Sequence, residues 1–139
     1  MRAAVIDASV AAKWVVEEAH SAQAARALNF ESRHAPAHWM AEAANVLWAK
    51  VFRGNLAAAD AEERVAVLLR APVIAAPLEG LVPRAFAIGL ARGVTIYDAL
   101  YVALAEKYDI PMVSADAKLI RRLSGDPALA GRMVWVGDL

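Results

Sequence analysis

The run Thr95-Ile96-Tyr97-Asp98-Ala99-Leu100-Tyr101-Val102-Ala103-Leu104-Ala105-Glu106 constrains this chain more than any other stretch. Thr95 has the side chain of a helix N-cap, a hydroxyl able to accept a backbone N–H left unpaired at a helix start. Ile96, Leu100, Ala103 and Leu104 recur at helical spacing and predict an apolar face packed on a core. Asp98 falls in the first turn, where the helix dipole favours a carboxylate. Downstream, Ile110-Pro111-Met112-Val113-Ser114 reads as a short buried strand that delivers a second acid, Asp116. Helix, turn, strand and acid form half of a βαβ unit, and such units bring strand C-termini and helix N-termini to one rim. Carboxylates gathered there repel one another unless a cation lies between them.

The rest of the chain extends the same pattern. Residues 2–6 read as a buried strand ending at Asp7, followed by a helical segment over 10–16 with Ser9 as its cap. Ser21 is a second expected cap, opening a helix that runs to about residue 29. His34-Ala35-Pro36 reads as a strand, with Pro36 opening a helix to Arg53, where Gly54 stops it. Trp39, Glu42, Asn45 and Val46 share one side of that helix. A helix over 55–70, with Leu56, Val65, Leu68 and Leu69 as its apolar side, would close an antiparallel hairpin. A strand over 73–76, a helix over 81–91 ended by Gly93, a helix over 118–123 and a strand over 133–136 complete the chain. Strands that are apolar throughout and alternate with helices predict an α/β fold. Its central sheet would be mainly parallel, of about five strands, with helices on both faces.

Length and composition narrow the class. The 139 residues suffice for one domain spanning 1–139 with a sizeable core. Mean hydropathy is high at +0.39, yet no apolar run approaches the roughly 18–20 residues that span a bilayer. Asp7 and Lys13 interrupt the first apolar stretch, so no signal peptide is expected and the expected location is the cytoplasm. With no cysteine, disulfides, thiolate catalysis and cysteine zinc sites are excluded. Lys+Arg and Asp+Glu balance at 15 each, so phosphate binding would need a local basic patch.

Taken singly, Asp7, Glu42, Asp98 and Asp116 read as ordinary turn, surface or capping acids. Taken together they differ, because topology brings two to the carboxyl edge of the sheet and places a third at a helix entrance. Each of three has a small polar neighbour able to orient it: Asp7 with Ser9, Glu42 with Asn45, Asp116 with Ser114. Hard oxygen donors of this kind suit Mg²⁺ or Mn²⁺ rather than zinc. His34 and His38 straddle a strand-to-helix boundary and are not expected to pair on a metal. Trp14, Trp39 and Trp48 occupy apolar helix positions and are expected in the core. Lys118, Arg121 and Arg122 fall at i, i+3 and i+4 and are candidates to grip a phosphate backbone beside the metal.

Val5-Ile6-Asp7-Ala8-Ser9-Val10 with Lys13-Trp14, Glu42-Ala43-Ala44-Asn45-Val46-Leu47, the run 95–105 and Val113-Ser114-Ala115-Asp116 together resemble a PIN domain. Within that family the likeness is to VapC-type toxins of toxin–antitoxin pairs. The resemblance covers nearly the whole chain in order, and the block around Asp98 is its most specific part. It implies a metal-dependent endoribonuclease with Asp7, Glu42, Asp98 and Asp116 as the acidic quartet, Mg²⁺ or Mn²⁺ as cofactor, and RNA as substrate. It further implies a VapB-like antitoxin and a homodimer. Ser9, Asn45 and Ser114 would orient the acids or contact phosphate. Leu119 and Ile120 follow Asp116, so the extra acid found in some members is not expected. The alternatives are a PIN nuclease of RNA processing and a receiver-like Mg²⁺-binding signalling domain. The second fits poorly, because Asp7 lacks an adjacent acid and Asp98 opens a helix.

Overall fold

The computed structural model describes residues 2–139. Five short strands, β1 (Ala3–Ile6), β2 (Ser32–Pro36), β3 (Ile74–Ala76), β4 (Met112–Ser114) and β5 (Met133–Trp135), form one sheet in the order β3-β2-β1-β4-β5. Every pairing is parallel. In β1, Ala4, Val5 and Ile6 are all buried. Successive strand residues face opposite ways, so burial of three in a row means that both faces are covered. The chain starts at the centre, moves outward through β2 and β3, then returns to place β4 on the other side of β1. Strand order therefore reverses between β1 and β4, and in open α/β sheets the crevice at such a switch point is where ligands bind.

Among the described residues eight α-helices connect the strands: α1 (Ala8–Ala12), α2 (Ser21–Arg26), α3 (Trp39–Phe52), α4 (Ala58–Leu68), α5 (Val82–Arg92), α6 (Ile96–Tyr108), α7 (Ala117–Ser124) and α8 (Pro127–Ala130). The organising helix is α6. Thr95 caps it by accepting the Asp98 N–H at 3.2 Å. Ala99 to Ala105 are buried without a break, a wider apolar surface than the single face expected. The helix lies against β1, β2 and β4, while α5 packs on its outer side. These two helices meet at a bend of 116°. Gly89 makes the close approach possible: a Cβ there would stand 2.9 Å from Ile96 Cδ1 and 3.0 Å from the Val94 carbonyl. Gly93, at φ +66, supplies the left-handed residue that ends α5. Among the described residues no single helix is long and apolar enough to cross a membrane.

Several local expectations are corrected. Ser9 is not a helix cap; α1 begins at Ala8, and the Ser9 hydroxyl donates to Asp7 instead. Ser21 lies inside α2, where its hydroxyl accepts the Glu18 N–H and donates to the Val16 carbonyl. Pro36 ends β2 rather than opening α3, and its missing N–H costs nothing because Ala37 makes the bond to the Ala76 carbonyl. The hairpin of α3 and α4 forms, but Leu69 lies beyond α4 and is 61% exposed. Trp39 is in the core, and Trp14 is part-buried with its indole N–H on the Ala24 carbonyl. Trp48 is 57% exposed and stacks on Phe52 at 4.6 Å, so it is a surface residue.

Candidate active site

Asp7 follows β1 and Asp116 follows β4, so the switch point itself brings these two acids together. α6 aims its first turn, with Asp98, at the same crevice, and α3 lays Glu42 along the opposite side. The result is a cleft of about 460 Å³ lined by Asp7, Ser9, Glu42, Asn45, Asp98 and Asp116, with His38, Tyr97 and Val46 completing its wall.

Asp7 is the most enclosed acid, 6% exposed. Its Oδ2 accepts the Ser9 hydroxyl at 2.9 Å and the Ser114 hydroxyl at 2.6 Å. The two serines are themselves fixed, Ser9 accepting the Ala115 N–H and Ser114 the Asp116 N–H. One oxygen is thus tied down, while Oδ1 receives no side-chain hydrogen bond among the described residues. Burial pushes the carboxyl above its ordinary value; the serine hydroxyls pull it back in part, and Glu42 adds repulsion.

Asp98 lies in a partly enclosed position where burial, then the charges of Asp7, Glu42 and Asp116, push its pKa up to about 6. Asp116 uses Oδ1 to cap α7, accepting the N–H groups of Lys118 and Leu119 at 3.0 and 3.1 Å. Its capping role and its place in the cleft therefore coexist on different oxygens. Ser114, expected beside Asp116, donates its proton to Asp7 and only accepts from the Asp116 backbone.

Glu42 is oriented by a different residue from the one expected. Asn45 lines the cleft, but among the described residues it makes no hydrogen bond to Glu42. Instead His38 Nε2 lies 3.2 Å from Glu42 Oε1 and 3.1 Å from the Tyr97 carbonyl oxygen. Both are acceptors, so Nε2 carries the hydrogen. Burial opposes the Glu42 charge, yet the His38 contact and the nearby Tyr101 hydroxyl outweigh it and hold the carboxyl below its ordinary value. Burial likewise lowers His38, but Glu42, together with the Tyr97 carbonyl and the Asp7 charge, more than reverses this and leaves the imidazole raised. His20 and His34 lie elsewhere, against Trp135 and Ser32 respectively.

The basic residues separate. Lys118 and Arg122 line a second hollow of about 220 Å³, which shares Asp98 and Asp116 with the acidic cleft. Arg122 is anchored there by donating to the Gly93 carbonyl at 2.6 Å. Arg121 does not line it. Tyr97 and Tyr101 carry no expected role from the sequence, and His38 is considered there only as a metal ligand; its i, i+4 relation to Glu42 is the local signal for its place here.

Among the described residues no three carboxylate or imidazole groups converge tightly enough to enclose a cation. The donors instead stand around an open cleft. That suits Mg²⁺, which keeps several waters and takes only one or two carboxylates directly.

A parallel sheet that gathers four acids at its switch point defines a particular class of α/β domain, and the PIN-domain model matches residues 4–125. Ribonuclease VapC3 of Pyrobaculum aerophilum is 37% identical over 129 residues, covering 90% of this chain and 95% of that protein. Ribonuclease VapC12 of Mycobacterium tuberculosis is 32% identical over 115 residues, covering 83% and 88%. Among solved structures, PAE2754 from Pyrobaculum aerophilum superposes with a TM-score of 0.71 at 21% identity, over 99% of this chain and 91% of that one. A chain of a toxin–antitoxin complex from Klebsiella pneumoniae gives 0.63 at 14%, over 94% and 95%. The chain belongs to the PIN-domain family, in the company of the VapC ribonucleases. Membership excludes the receiver-like alternative.

Proposed function

We propose that this chain is an Mg²⁺-dependent endoribonuclease, with Mn²⁺ able to substitute, and the toxin of a VapBC-type toxin–antitoxin pair. The observation that carries the proposal is the convergence of Asp7, Glu42, Asp98 and Asp116 on one cleft, where burial and then mutual repulsion raise Asp98, a cost that a divalent cation would relieve. Asp7, Asp98 and Asp116 would hold the cation, directly or through waters. Such a cation neutralises the non-bridging phosphate oxygens and lowers the pKa of the attacking water.

The chain's own groups do the rest. Ser9 and Ser114 fix Asp7 so that its other oxygen is available to the cleft. Glu42 acts through a water or takes a proton from it. Lys118 and Arg122 receive a neighbouring phosphate of the RNA, with Asn45 as a further phosphate contact. In-line displacement of the 3′ oxygen leaves a 5′-phosphate and a 3′-hydroxyl.

The likeness to a chain of a toxin–antitoxin complex supports a VapB-like antitoxin as partner, and the exposed Trp48 and Phe52 offer apolar surface on the helix that carries Glu42. We place the protein in the cytoplasm as a homodimer of single domains spanning 1–139. Purified protein incubated with a mixed RNA pool is expected to cleave it with Mg²⁺ or Mn²⁺ and to stop with EDTA. Cleavage unaffected by EDTA would contradict the proposal. Inducing the chain alone in a bacterial host should arrest growth, and Asp98→Asn should not; growth without arrest would favour the RNA-processing alternative.

A further inference from the structure

Tyr101 sits on α6 one turn beyond Asp98, and its side chain is fully buried. Its hydroxyl points toward the Glu42 carboxylate and the Ala8 backbone, near enough to bear on both, but completes a well-formed hydrogen bond with neither. An unsatisfied buried hydroxyl costs about 1–3 kcal/mol. Phenylalanine would fill the same space without that cost, so packing alone does not account for a tyrosine here. His38 contributes a second donor from the other side of the cleft, with Nε2 at 3.2 Å from Glu42 Oε1. The His38 ring is held against the Tyr101 ring at 5.2 Å, and its Nδ1 is also buried without a partner.

We propose that His38 and Tyr101 form a clamp that positions Glu42, the tyrosine hydroxyl closing onto the carboxylate when the cleft is loaded. The inference rests on the reading that Glu42 serves the reaction. Glutamate has one more rotatable bond than aspartate, and Glu42 lacks the paired serines that fix Asp7. Two donors from two separate elements, the approach to α3 and the second turn of α6, supply that constraint. Both are positioning residues that act through Glu42.

The test uses the full chain with Tyr101→Phe, His38→Leu, His38→Gln and Glu42→Gln, read by steady-state cleavage, Mn²⁺ calorimetry and melting without metal. Tyr101→Phe should melt no lower than wild type, while kcat and Mn²⁺ affinity each fall about 10-fold and KM stays within about twofold. His38→Gln, which keeps a donor, should recover most of what His38→Leu loses. In a Glu42→Gln background, Tyr101→Phe should cause no further loss of Mn²⁺ affinity, because the two changes break one unit. Wild-type kcat and Mn²⁺ affinity in both Tyr101→Phe and His38→Leu, with both lost in Glu42→Gln, would overturn the clamp and leave the nuclease reading standing. Additive losses in the double variant would also overturn it. Full activity in Glu42→Gln would instead overturn the role given to Glu42, and the clamp with it.

Discussion

At the scale of single residues, the cleft trades stability for charge. Asp98 has a folded pKa of about 6 against an ordinary value of 3.8. Between those values the folded state binds more protons than the unfolded one, so stability falls as pH rises through the window. Metal-free protein should therefore lose more stability between pH 5 and pH 7.5 than its other groups alone would dictate. Asp98→Asn removes the repulsion and should stabilise the metal-free protein at pH 7.5, by roughly 1–2 kcal/mol after solvent screening. Urea unfolding of the pair at both pH values measures this, and a less stable Asn variant at pH 7.5 would contradict it. Ser114 makes the opposite contribution. It is 1% exposed and donates to the buried Asp7, so Ser114→Ala leaves a carboxylate with one donor fewer. The expected loss is about 1–3 kcal/mol in the same unfolding assay.

At the scale of elements, the crossing of α5 and α6 sets where Asp98 points. Gly89 has no room for a branched side chain against Ile96 and the Val94 backbone. Gly89→Val should cost about 1–3 kcal/mol and reduce cleavage by displacing α6. Unchanged stability would show that the corner can open freely. The elements also explain what could be read in advance. Asp7, Asp98 and Asp116 were legible because each stands at a strand end or helix start, and both are marked by local pattern: an apolar run, a cap, a proline or glycine. The strand order was not legible, since nothing local to β4 says that it returns beside β1. Tyr101 faces Glu42 only because α3 and α6 flank the same crevice, a tertiary fact, whereas His38 meets Glu42 through a local i, i+4 relation. Trp48 was misplaced for a related reason. A tryptophan at helical spacing looks the same whether its face meets the sheet or solvent, and α3 has only one face on the core. Helix α8 went unread because four residues carry too little periodicity to register.

At the scale of the whole molecule, a chain with no net charge binds a polyanion through local separation of charge. The acidic cleft and the hollow of Lys118 and Arg122 adjoin, so the cation and the basic residues would grip neighbouring phosphates of one strand. Lys118→Ala should weaken RNA binding and reduce its salt dependence by about one counterion. Arg121→Ala, outside that hollow, should change neither; equal effects from the two would remove the hollow from the RNA path. The central claim is that the four acids serve a divalent cation which RNA cleavage requires. Titrating Mn²⁺ into wild type and Asp98→Asn, following melting temperature and RNA cleavage in the same samples, tests it most directly. The account predicts that Mn²⁺ raises the wild-type melting temperature over the concentrations that switch on cleavage, and that Asp98→Asn shows neither response. A wild type that cleaves RNA with no Mn²⁺ effect on melting, or an Asn variant that responds like wild type, would contradict it.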